Sequence, residues 1–155
     1  MKKLLLTLLT LTALIDGCKY KDGPMISFRS VEKRLDGTWQ VIEYTSNGID
    51  SLQNFKDSCG YNMKIHFPPD YYNIDISFYT VAGNNSSSSL GNGGRFHFSN
   101  NNKIMYVDFN KTSFKSIGPI GGGESKWEIL KLTMTKFKIS TDFNGRNYLI
   151  SFKKQ

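Results

Sequence analysis

The chain has 155 residues, with 20 basic and 13 acidic side chains for a net charge of +7. That length suits one domain built on one core. The positive charge is dispersed: Lys64, Lys103, Lys111, Lys126, Lys136 and Lys138 mostly alternate with apolar residues, as the solvated face of a sheet requires, and without a cluster nucleic acid is not an expected partner.

Chain order begins with a segment that does not belong to the fold. Met1-Lys2-Lys3 is a positive start, residues 4–15 are an apolar run of Leu, Thr, Ala and Ile, and Ile15-Asp16-Gly17-Cys18 closes it. A membrane-spanning helix needs about 20 apolar residues, so this stretch is too short to be one. A charged start, a short apolar core and a small residue before a cut are common to both ordinary and lipoprotein secretory signals. The closing tetrapeptide resembles a bacterial lipobox, with a branched apolar residue three positions before the cut, Gly just before it and Cys just after. That resemblance implies removal of residues 1–17, a lipid on Cys18 as the first mature residue, and a membrane anchor in the cell envelope, with the outer membrane as the expected location. Removal takes two of the 20 basic and one of the 13 acidic side chains with it, so the mature net charge is +6. Residues 18–30 then form a tether and residues 31–155 the domain. With Cys18 acylated, Cys59 is alone and reads as a buried, inert thiol; with Cys18 free, a Cys18–Cys59 disulfide is open to it.

A turn or two of helix is expected at 30–35, with Ser30 as N-cap, Lys33 and Arg34 near the carbonyl end, and a stop before Gly37. From there the sequence is written in the period of two that half-buried strands use. Residues 38–44 put Trp39 and Val41 on one face. Residues 61–67 alternate Met63, Ile65 and Phe67 with Asn62, Lys64 and His66, and residues 71–79 set Tyr72, Ile74, Ile76 and Phe78 opposite Asn73, Asp75 and Ser77. Five further strands are expected at 94–98 (Phe96, Phe98), 104–109 (Met105, Val107, Phe109), 126–132 (Trp127, Ile129), 137–141 (Phe137, Ile139) and 147–153 (Tyr148, Ile150, Phe152). Between them, Asn144-Gly145, Asn47-Gly48, Asn100-Asn101-Asn102 and Pro68-Pro69-Asp70 are turn chemistry. Short links favour antiparallel neighbours, because a parallel crossover needs a dozen or more residues. Two long segments, 82–93 and 110–125, are rich in Ser, Asn and Gly and are expected at the surface as flexible loops, or as lids and binding elements. The fold class is therefore all-β: an eight-stranded antiparallel up-and-down meander that removes its edges by closing into a barrel, with room for packed side chains or one small ligand.

Leu35-Asp36-Gly37-Thr38-Trp39, a helical turn running into the first strand through Gly-x-Trp, resembles the opening motif of lipocalins, and the two-strand segment from Trp127 to Ile139 is similar to the matching part of lipocalin-like lipoproteins of the Bacteroidetes type. The resemblance spans about residues 31–153. It implies a lipocalin-like β-barrel in which Trp39 plugs one end, burying roughly 200 Å². It also implies a cation packed over that Trp, for which Arg146 is the candidate, and an interior lined by Tyr72, Phe78, Phe96, Phe98, Met105, Phe109 and Tyr148. These side chains either fill the barrel or line a mouth.

Catalytic chemistry is thin. His66 and His97 stand on the polar faces of their strands, too few for a histidine metal site, and no nucleophile elbow, phosphate loop or metalloprotease motif is present. Gly121-Gly122-Gly123-Glu124 precedes a strand rather than the helix an anion site needs, and an Asp75–Asp108 meeting across strands would be merely solvated. No enzyme activity, no cofactor and no metal are expected. Asp50-Ser51-Leu52 resembles a bacterial O-glycosylation site, making Ser51 a candidate. Two readings of function follow. The first is a lipid-anchored barrel holding a small apolar ligand. The second is a filled barrel whose long loops contact or inhibit an envelope protein.

Overall fold

Alternating strands can each bury one face, and antiparallel ladders join them edge to edge. The computed structural model describes residues 29–59, 62–68, 73–79, 92–109, 118–120 and 123–155. In chain order these form α1 (Val31–Leu35), β1 (Gly37–Ser46), β2 (Ile49–Asp50), α2 (Leu52–Cys59), β3 (Asn62–Phe67), β4 (Asn73–Tyr79), β5 (Asn92–Ser99), β6 (Ile104–Phe109), β7 (Glu124–Leu132), β8 (Lys136–Phe143) and β9 (Arg146–Lys154). Strand β2 is a two-residue flap on the end of β1. The eight long strands pair antiparallel in the order β1-β3-β4-β5-β6-β7-β8-β9, and β1 also pairs with β9 from Trp39 to Ser46, so the ladder returns to its start. This is the expected lipocalin-like meander.

One end of the barrel is shut by an indole and a helix. Ser30 caps α1 by accepting from the Lys33 amide at 3.3 Å, and Val31, Arg34 and Leu35, spaced i, i+3, i+4, are its buried face. Below them Trp39 is fully buried and its Nε1 donates to the Leu35 carbonyl at 2.6 Å. The Arg34 guanidinium donates to the Leu132 carbonyl at 2.9 Å, tying α1 to β7 across the same end. From Trp39 an aromatic stack fills the interior. Phe137 meets it edge-on at 5.9 Å, Phe152 stacks on Phe137 at 5.1 Å, and Trp127 stacks on Phe152 at 6.2 Å.

Four expectations are corrected. The cation over the plug is Lys154, whose Nζ lies 5.5 Å from the Trp39 ring, whereas Arg146 begins β9 at the far end. The reason is register: Lys154 and Arg146 share a strand face with Tyr148, Ile150 and Phe152, but it is Lys154 that sits opposite Trp39 in the β1–β9 ladder. Second, Asp75 and Asp108 do not meet, because β5 lies between their strands and sets Gly93 opposite Asp75 and Arg95 opposite Asp108. Third, helix is not confined to the expected turn at 30–35, because α2 occupies Leu52–Cys59. Asp50 accepts from the Leu52 amide at 3.0 Å to start it, and a Gln53–Asp57 side-chain bond at 2.8 Å spans one turn. Fourth, the segment 110–125 is not all surface loop: Glu124 and Ser125 already belong to β7, and Ile120 is 3% exposed within the core.

The turns form as their residues dictate. Asn47-Gly48 and Asn144-Gly145 both take positive φ at both positions, the primed turn that matches strand twist. Asn100, Asn101 and Asn102 are all left-handed, between φ 51 and 61°, a conformation that Asn tolerates better than other side chains with a Cβ.

Because Trp39 contributes both ring burial and a buried hydrogen bond, Trp39→Ala is expected to cost about 3–5 kcal/mol in urea unfolding of the domain. Trp39→Phe, which keeps an apolar ring but leaves the Leu35 carbonyl unpaired, should cost less, about 1–3 kcal/mol. An unchanged midpoint for the Ala variant would show that the plug is not packed as described.

Candidate functional site

The end opposite the plug is built differently, and a single irregularity in β1 sets it up. Strict alternation from Trp39 and Val41 would next bury residue 43. The register shifts between Val41 and Glu43, however, so Tyr44 turns inward and is 4% exposed, while Ile42 is left 45% exposed. A bulge of this kind re-aims every side chain beyond it. Tyr44 then meets Phe55, the one fully described buried side chain of α2, in a stack with centroids 4.4 Å apart, and Tyr148 of β9 lies 5.6 Å away on its other side.

Around these rings lies a cavity of about 230 Å³ lined by Tyr44, Ser46, Ser51, Asn54, Phe55, Ser58, Arg146 and Tyr148. Ser51, Asn54, Phe55 and Ser58 follow helical spacing, so a single face of α2 and its cap makes one wall. Arg146 precedes Tyr148 by two residues on the same strand face and stands at the rim. Across the opening, residues 118–120 dock on the tyrosines. Gly118 has φ +62° and a Cβ there would run into the Tyr44 hydroxyl, so the close approach and the backbone conformation both call for Gly. The Pro119 carbonyl accepts from the buried Ser125 hydroxyl at 3.3 Å.

Deeper in the barrel lie two buried polar atoms with no hydrogen-bond partner among the described residues, Trp127 Nε1 and Thr141 Oγ1. Thr141 is the ladder partner of Tyr148, and one step beyond the Glu128–Ser140 pair it stands beside Trp127. The row Tyr148, Thr141, Trp127 therefore leads from the cavity wall inward. An unpaired buried donor costs about 1–3 kcal/mol, and neither Thr141 nor Trp127 is among the residues that line the cavity.

The residues expected to line the interior divide in position. Tyr148 lines the cavity. Met105 and Phe109 are fully buried beside Trp127, Phe96 is 7% exposed against Phe67, and Phe98 is half-buried next to Phe96. Phe78 pairs with Met63 in the β3–β4 ladder, and its side chain, like Cys18, Tyr72 and the Cys59 thiol, lies outside the described parts. Ser51 stands in the cavity wall and donates to the Ile49 carbonyl at 3.2 Å. His66 is 3.3 Å from the Thr38 hydroxyl, and His97 stacks on Tyr106 on the outer face; neither touches the cavity. Tyr44, Phe55, Asn54 and Ser58 were not expected from sequence. For Asn54, Phe55 and Ser58 the one signal was the Asp50-Ser51 start followed by a sparse i, i+3, i+4, i+7 face, and Tyr44 had none.

A family model described as a lipocalin-like domain matches residues 35–139, more than half of the chain. The chain belongs to this lipocalin-like family. Among curated proteins none matches the sequence. Solved structures that resemble the lipocalin-like domain include a lipocalin-like protein from Bacteroides uniformis, 13% identical over 79% of this chain and 99% of the other, with a TM-score of 0.46. Bovine odorant binding protein in complex with a selenium-containing odorant is 12% identical over 84% of this chain and 75% of the other, at 0.47. As-p18, an extracellular fatty acid binding protein, is 10% identical over 82% and 100%, at 0.41.

The unpaired hydroxyl gives a direct test of the site. Thr141→Val keeps the shape and removes an orphaned group, so the ligand-free protein is expected to gain about 1 kcal/mol in urea unfolding. A loss of 1 kcal/mol or more would show that the hydroxyl is satisfied.

Proposed function

We propose that this protein is a lipid-anchored lipoprotein of the cell envelope whose lipocalin-like barrel holds a small, largely apolar molecule at the end opposite the Trp39 plug. The observation that carries the reading is the cavity of about 230 Å³ walled by Tyr44, Phe55 and Tyr148. Ser46, Ser51, Asn54 and Ser58 add hydrogen-bonding groups beside these rings, so the open cleft offers both aromatic and polar contacts. Drug-sized ligands occupy about 300–1,000 Å³, so the occupant is small, of one or two rings. The anchor is supported by Ile15-Asp16-Gly17-Cys18. The tether enters through α1 at the plugged end, and β1 runs ten residues from there to the cavity, about 30 Å at strand rise, which leaves the mouth remote from the anchored end.

The modest volume and the aromatic filling around Trp39 and Trp127 favour one other reading, in which the barrel is an interaction or inhibitor module that contacts an envelope protein through its loops. Native mass spectrometry of the protein extracted from its own membrane separates the two. A retained mass of a few hundred daltons or less is expected; a stoichiometric protein partner with no small molecule would overturn the ligand reading. Cys18→Ser is expected to move the protein from the membrane to the soluble fraction, and a variant that stays fully membrane-bound after processing at the same place would contradict the anchor.

A further inference from the structure

We propose that the mouth cavity recognises an anion: its occupant is a small aromatic carboxylate, with the rings on Tyr44, Phe55 and Tyr148 and the carboxylate on Arg146. The proposal rests on the ligand reading above and names the chemical class of that ligand.

Charge and partner accounting carry it. Arg146 is the single charged residue among the eight that line the cavity, and no acidic side chain is among them. Its guanidinium makes no hydrogen bond or ion pair with any described residue. Carboxylates on adjoining segments already accept from other donors: Asp142 from Asn147 Nδ2 at 3.1 Å, Asp50 from the Leu52 amide at 3.0 Å, Asp57 from Gln53 at 2.8 Å and Glu43 from the Ser151 hydroxyl. A guanidinium without a partner among the described residues, at the rim of a cleft with polar and aromatic walls, presents a planar fork of donors that matches a carboxylate with two parallel bonds. The remaining wall supplies Ser46, Ser58 and Asn54, three short polar side chains that can donate to the carboxylate oxygens Arg146 does not hold.

The apolar half of the occupant follows from the floor. Tyr44 and Phe55 are nearly parallel, with an interplanar angle of 21°, and Tyr148 is tilted against Tyr44 by 57°. Flat rings pack against such a floor by offset or edge contacts. The volume of about 230 Å³ admits one ring or two fused rings, and a long acyl chain does not fit among the described residues that line it.

The test titrates the purified protein with naphthalene-2-carboxylate and with its neutral isostere naphthalene-2-carboxamide, followed by calorimetry and ligand-observed NMR. The carboxylate is expected to bind at least tenfold more tightly than the carboxamide. Arg146→Gln should remove that preference by weakening the carboxylate about tenfold while leaving the carboxamide unchanged, and added salt should narrow the gap, because the guanidinium is exposed and screened. Ser58→Trp, an exposed change that fills the cavity, should weaken both compounds. Equal affinities, or a carboxylate preference that survives Arg146→Gln, overturn the anion proposal and leave the ligand reading standing. Binding of neither compound, or binding of both unaffected by Ser58→Trp, overturns the ligand reading with it.

Discussion

The bond from the Trp39 indole to the Leu35 carbonyl gives this barrel its polarity. A closed meander of eight strands has two openings of similar width, and nothing in the ladder distinguishes them. The helix α1 ends with a carbonyl that has no partner within the helix, and the indole N–H needs an acceptor once it is buried. Each group satisfies the other at one opening. Arg34 reinforces the arrangement by reaching the last carbonyl of β7, and the Lys154 ammonium rests over the indole face. With that end sealed, whatever the domain binds must enter at the other.

The second determinant is the bulge in β1. Without the shift between Val41 and Glu43, Tyr44 would point to solvent and the α2 phenyl ring would lack its stacking partner. Ile42 is exposed by the alternation that precedes the shift, and the shift itself exchanges Glu43 for Tyr44 on the inner face. A second shift, between Ile129 and Lys131 in β7, does the same for Leu132 at the plugged end, where its carbonyl meets Arg34. Traced through β8 and β9, the two irregularities lie on neighbouring rungs of the ladder.

Stability and binding capacity are divided along the same axis. Toward Trp39 the buried side chains Phe67, Phe137, Phe152, Leu132 and Ile65 are at or below 1% exposure and apolar, as a packed core requires. Toward the mouth the buried set changes to Tyr44, Tyr148, Thr141 and Ser125, and Thr141 Oγ1 has no partner among the described residues.

Much of the fold was legible in the sequence because the forces that decide it act locally. Period-two alternation marked eight strands, Asn-Gly pairs marked two primed turns, Ser30 and Gly37 bracketed α1, and Gly-x-Trp pointed to the plug. The resemblance of Ile15-Asp16-Gly17-Cys18 to a lipobox is likewise carried by four adjacent residues. What tertiary structure alone decided are the features set by register and by long-range closure. The pairing of β1 with β9 placed Lys154, not Arg146, over Trp39, and it put Arg146 at the opposite opening beside Tyr148, 102 residues after Tyr44 in the chain. The bulge that turns Tyr44 inward has no local signature, because alternation on either side of it looks regular. Helix α2 is held by one buried ring, Phe55, which is too little periodicity to read from eight residues yet enough once Tyr44 stands under it. Local pattern fixes which face of each strand is apolar; only closure of the ladder fixes which side chains from distant strands share an opening, and with them the chemistry found there.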